Sequence, residues 1–137
     1  MDLNELIQVG VSREETFPVA EENAARHVGS GSARVLATPW LIAFMERVAH
    51  RLLIELLPEG YSSVGVIVNM RHLAPSPIGS NVRVRAEVTE VNGTRVGFDI
   101  RAWDESEAVG DCQHERAVIE QARFLRRIET KQKNLLK

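Results

Sequence analysis

The sequence predicts a two-layer α+β fold, with one long helix wrapped by a curved antiparallel sheet of about five strands. Three observations carry that reading. Leu41, Ile42, Met45, Val48, Ala49, Leu52, Leu53 and Leu56 recur at helical spacing. Later segments alternate apolar and polar residues at a period of two, as half-buried strands do. The turns between them are short, and short connections join antiparallel neighbours.

The elements follow in order. Glu15 to Ala20, containing Phe17 and Val19, reads as the first strand. The small residues of His27-Val28-Gly29-Ser30-Gly31-Ser32 read as a mobile loop. Thr38 is a good N-cap and Pro39 a good first helical residue, so the helix opens there and ends near Leu57, before Pro58 and Gly60. Val64, Val66, Val68, Met70 and His72 share one face of the next strand, which Pro75 to Gly79 breaks. Val82, Val84, Ala86 and Val88 alternate with charged residues, and Asn92-Gly93 is a strong hairpin signal before Val96, Phe98, Ile100 and Ala102. A polar turn at Asp104 to Glu107 leads into a last strand from Ala108 to Phe124. The charged tail from Arg126 to Lys137 frays or forms a short helix. A strand, a helix and four more strands in this order suit the hotdog arrangement. Such a monomer leaves a sheet edge and part of its helix uncovered, which calls for a dimer.

Composition narrows the function. The 137 residues suit one domain, residues 1–137, and the 44% apolar and 26% charged content is that of a globular chain. Seventeen basic against nineteen acidic residues leave a net charge of -2, without the basic excess of a nucleic-acid binder or a polybasic membrane-surface protein. No apolar run is long enough for a membrane span, and the acidic start, Met1 to Glu5, is not that of a signal peptide. The lone Cys112 forms no internal disulfide and suits a reducing, cytoplasmic compartment, and without a CxxC there is no cysteine zinc motif. Four scattered histidines make a weak metal signal.

Several polar residues invite chemistry. Thr38 stands at a helix start, where free N–H groups and the positive helix end attract a carbonyl oxygen or oxyanion; it is equally read as a plain cap. Glu46 borders the apolar stripe beside Ile42, Ala49 and His50, either solvated or a buried acid or base with a raised pKa. His72 lies in phase with an apolar row, either a rim histidine or a catalytic one. His114 and Arg116 share a strand face, as an exposed charge ladder or as an anchor for a carboxylate, phosphate or carbonyl oxygen. Thr38 and Glu46 are about two helical turns apart and lie on similar sides of the helix. A hydroxyl, a carboxylate and an imidazole meeting near a helix N-terminus would suit acyl transfer or hydrolysis.

From about Phe17 to Ile128 the chain resembles the hotdog-fold thioesterases of the fluoroacetyl-CoA thioesterase-like family. Val35-Leu36-Ala37-Thr38-Pro39, Met45-Glu46, Val64-Gly65, Val68-Asn69-Met70-Arg71-His72-Leu73-Ala74, Pro77-Ile78-Gly79 and His114-Glu115-Arg116 carry the likeness. The resemblance implies an acyl-CoA thioesterase with Thr38, Glu46 and His72 catalytic and with Gly65 and Arg116 binding substrate. It implies no metal or redox cofactor. It also implies a homodimer, extending in some cases to a tetramer, whose active site at the interface borrows from both chains. Fluoroacetyl-specific members gate the acyl pocket with phenylalanines in the loop before the helix. Gly29-Ser30-Gly31-Ser32-Ala33-Arg34 has none, so a different small acyl group is expected. A non-catalytic acyl-CoA-binding module is the main rival. A hydratase of this fold would carry Asp-x4-His, which is absent. A purely structural dimerisation domain would leave Glu46 and His72 without a reason.

Overall fold

The computed structural model describes residues 1–137. Its long helix forms where the apolar stripe predicts it. Labelled α3, it spans Thr38–Leu56, after two single-turn helices, α1 (Leu3–Leu6) and α2 (Ala25–Val28), and a short 3-10 turn at Glu21–Asn23. Leu41, Phe44, Met45, Val48, Ala49, Leu52 and Leu53 are buried along one stripe. Removing a buried leucine of this kind costs about 2–5 kcal/mol. Ala37, not Thr38, occupies the N-cap position; no side chain caps the helix, Thr38 is its first residue and Pro39 its second. The expected Thr38 cap is therefore absent, and its hydroxyl is free for another partner.

Five strands make one antiparallel sheet: β1 (Ser12–Pro18), β2 (Tyr61–His72), β3 (Asn81–Asn92), β4 (Arg95–Trp103) and β5 (Ala108–Glu120), in the order β1-β3-β4-β5-β2. The α+β hotdog arrangement stands as the sequence predicts. Three boundaries differ from expectation. β1 starts earlier and stops at Pro18, opposite Asn81, the first residue of β3. The β3–β4 loop is Gly93-Thr94, because Asn92 still pairs with Arg95, and Gly93 takes the left-handed turn at φ 62°. β5 ends at Glu120 because its neighbour begins opposite at Tyr61, and the chain turns into α4 (Gln121–Leu135) in place of further strand.

The edges are unlike. β1 carries Arg13, Glu14 and Glu15, tied by ion pairs to Glu55 and Arg51 of α3 and Arg83 of β3. Charges of this kind keep other strands away. On β2, Val66, Ile67 and Val68 are exposed in succession, and no charged residue occurs before Arg71. A bulge between Gly65 and Ile67 shifts its phase by one residue. Before the bulge Ser63 and Gly65 lie opposite Val118 and Arg116; after it Val68, Met70 and His72 lie opposite His114, Cys112 and Gly110. The expected row of Val64, Val66, Val68, Met70 and His72 thus breaks at the bulge, and its first two members leave the helix-facing side.

Gly110 lets α3 approach β5. A Cβ there would lie 2.9 Å from Leu41 and 3.1 Å from Met45, with the Arg71 carbonyl oxygen 3.3 Å away. Gly110→Ala is expected to lower stability by about 1–3 kcal/mol, the usual cost of overpacking. Urea unfolding checks this, and an unchanged midpoint would show that the helix gives way freely.

Candidate active site

The first turn of α3 crosses the end of β2. Thr38 Oγ1 and His72 Nδ1 share a hydrogen bond of 2.8 Å. The other ring nitrogen, Nε2, is buried and has no hydrogen-bond partner. Burial holds the imidazole below its usual pKa, with the Ala74 backbone partly opposing. A mostly neutral imidazole at neutral pH can exchange a proton with the Thr38 hydroxyl and act on a second group through Nε2.

Glu46 is held elsewhere on the same helix. Eight residues at 1.5 Å each put roughly 12 Å along the axis between it and Thr38. Arg116 Nη1 donates to Glu46 Oε2 at 3.2 Å, and the carboxylate side chain is 40% exposed while that of Arg116 is 7% exposed. Gly65 lies directly beside this pair. A Cβ built on it would stand 2.5 Å from Glu46 Oε2 and 3.4 Å from Arg116 Nη1. The glycine is therefore what leaves room for the carboxylate.

Thr38 thus meets His72, and Glu46 meets Arg116 and Gly65, but no hydrogen bond joins the two groups within the chain. His114 and Arg116 face the helix and are buried, so the charge-ladder reading of that strand is wrong. Burial presses Arg116 below its usual pKa, and Glu46 opposes it; a guanidinium keeps its proton even so.

Two residues of this cluster escaped the sequence reading. Ser63 receives the Arg116 Nε–H at 2.8 Å and shares a 2.8 Å hydrogen bond with His50 Nδ1. The available signals were weak: Ser63 stands two residues before Gly65, and His50 one helical turn after Glu46. Cys112 takes no part; burial first of all pushes its thiol up to about 11, so it is a poor nucleophile at neutral pH. No group of three or more histidine, cysteine or carboxylate side chains is arranged to hold a metal ion.

The sequence profile of the fluoroacetyl-CoA-specific thioesterases matches residues 19–122. The chain belongs to that family. A fluoroacetyl-CoA thioesterase from Streptantibioticus cattleyicolor is 30% identical over 91% of this chain and 94% of its own. Among solved structures, a variant of the fluoroacetyl-CoA-specific thioesterase in complex with fluoroacetate and CoA superposes with a TM-score of 0.82. It is 30% identical, over 86% of this chain and 99% of that one. A hot-dog-like protein from Thermanaerovibrio acidaminovorans gives a TM-score of 0.89 at 29% identity, over 96% of this chain and 97% of its own. Family membership makes the chain a hotdog-fold thioester hydrolase. No helix is long and apolar enough to cross a membrane.

His50, His72 and His114 are all held below the ordinary histidine pKa, in each case chiefly by burial. In the unfolded chain they take up protons near pH 6.5, whereas the folded chain resists until lower pH. Their contribution to stability is therefore complete above about pH 6.5 and lost as the pH falls below it. Thermal unfolding from pH 8 to pH 5 should show a falling midpoint over the lower half of that range. A midpoint flat to pH 5 would contradict neutral burial of these rings.

Proposed function

We propose that this family member hydrolyses the thioester of a small acyl-CoA to the free acid and CoA, with Thr38, Glu46 and His72 catalytic and Gly65 and Arg116 at the substrate. The observation that carries the reading is the pairing of a helix-start hydroxyl with an imidazole whose second nitrogen is buried and unpartnered. The thioester carbonyl points at the N-terminal end of α3, whose dipole favours the developing oxyanion. Glu46, with one oxygen anchored by Arg116, uses the other either to attack the carbonyl, giving a mixed anhydride that water then cleaves to the free acid, or to take a proton from the water that attacks the carbonyl. His72, in its protonated form, gives a proton to the departing thiolate and regains it from the water consumed, and Thr38 orients the ring. The acyl group differs from fluoroacetyl, since the Gly29 to Arg34 loop offers no aromatic gate. The reaction as written needs no metal or redox cofactor.

The working unit in this reading is a homodimer, itself able to pair into tetramers, in the cytoplasm. The support is the β2 edge, with three successive exposed apolar residues and no guarding charge. A two-fold axis near Val68, pairing β2 with its copy, sets the Ser63–Gly65 end of one strand beside the Met70–His72 end of the other. Glu46 of one chain then faces the Thr38–His72 pair of the second, which closes the 12 Å gap.

Thr38→Ala, Glu46→Ala and His72→Ala should each lower turnover of an acyl-CoA panel by roughly a hundredfold or more while the chain stays folded. Free CoA release is the readout, and wild-type turnover in both Glu46→Ala and His72→Ala overturns the roles. Mixing those two inactive variants under subunit exchange tests the shared site. Random pairing should restore about a quarter of wild-type activity, because half the dimers regain one intact site. No restoration, with exchange demonstrated by mass, would place each site within a single chain.

A further inference from the structure

The donors of Arg116 fix the tautomer of His114. Arginine carries five N–H donors and accepts nothing. Its Nε–H goes to Ser63 Oγ at 2.8 Å and its Nη2 to the Ser63 carbonyl at 3.3 Å. Its Nη1 serves Glu46 Oε2 at 3.2 Å and His114 Nε2 at 3.1 Å. His114 Nε2 must therefore be bare, and the proton sits on Nδ1, which donates to the Ile67 carbonyl at 2.8 Å. That carbonyl belongs to the bulge in β2. Ser63 Oγ accepts from Arg116 and also shares a 2.8 Å hydrogen bond with His50 Nδ1, which its one hydrogen and second lone pair allow in either direction. Ser63, His114 and Arg116 are 6%, 3% and 6% exposed.

We infer that Ser63 and His114 are positioning residues, which lock the Arg116 guanidinium between the β2 bulge and α3 and so set where the Glu46 carboxylate points. This rests on the proposed role of Glu46. Neither residue touches the substrate in this reading; both act through Arg116. The lock requires neutral His114, because a second ring proton would aim an N–H at Arg116 and remove an acceptor. The titratable groups acting on His114 are Arg116 on its own strand and Glu46 from α3, while His50 of α3 bonds Ser63. β4 presents only the Phe98 ring, 6.1 Å away between centroids, and β2 the Ile67 carbonyl.

The test has two arms. Nitrogen-15 spectra of the histidine rings in the intact protein at pH 8 should show the Nδ1–H tautomer at His114. The opposite tautomer at His114 overturns the inference without reference to activity. In kinetics, Ser63→Ala should lower kcat about tenfold to a hundredfold with a smaller change in KM, and Ser63→Thr, which keeps the hydroxyl, should restore most of it. His114→Gln keeps an acceptor for Arg116 but cannot titrate, so it should retain turnover at pH 8 and move the acid limb of kcat/KM to lower pH. A folded Ser63→Ala enzyme with wild-type kcat overturns the positioning role while leaving Glu46 catalytic. Full activity in Glu46→Ala overturns the underlying reading instead. Should Ser63→Ala fail to fold, the His114 tautomer and His114→Gln decide.

Discussion

A guanidinium buried against an apolar sheet is tolerable only when each of its nitrogens finds an acceptor, and Arg116 imposes that demand on its whole neighbourhood. The serine two residues before Gly65, the bare nitrogen of His114 and the carboxylate of Glu46 are its answers. Gly65 is part of the same constraint, since any side chain there would occupy the space of the Glu46 carboxylate. The bulge in β2 turns the Ile67 carbonyl to His114, and so fixes which ring nitrogen faces the arginine. One buried cation thus couples a strand irregularity, a glycine and a helix-borne acid.

The other half of the chemistry depends on the helix terminus. With Ala37 at the cap position and proline in the second helical place, no side chain closes the start of α3. The Thr38 hydroxyl is left to the imidazole of His72, and Gly110 lets the helix come close enough for that contact. Because Thr38 and Glu46 are eight residues apart on one helix, the Thr38–His72 pair and the Glu46–Arg116 pair stay about two turns apart in any one chain. In the proposed dimer, a catalyst that needs both draws on two chains. The unguarded β2 edge provides a surface on which a second copy can do so, in contrast to β1, whose charges are tied down by the helix and β3.

The fold was legible from local signals. The 3.6-residue stripe from Leu41 to Leu56, the period-two runs around Val84 and Phe98, and the Asn92-Gly93 turn each act over a few residues, and each element formed. Thr38, Glu46, His72, Gly65 and Arg116 were legible as candidates through family resemblance and through their places on faces. The misplaced features share one cause. The strand row of Val64 to His72 ignored a bulge set by pairing with β5, and the strand through Phe124 ignored that β2 stops opposite Glu120. Neither His50 nor Ser63 stood out as a candidate, because they are thirteen residues apart and meet only when α3 lies across β2.

By itself, then, the sequence determined the number, kind and order of the main elements and the chemical inventory of the site, because periodicity and turn chemistry are encoded between near neighbours. Tertiary structure alone decided which candidates touch. Thr38 found His72 across thirty-four residues and Arg116 found Glu46 across seventy. It also decided that Arg116 is buried and not part of a surface ladder. Those outcomes depend on strand register, on the bulge and on how closely a helix can approach a glycine, which are properties of packing between distant segments.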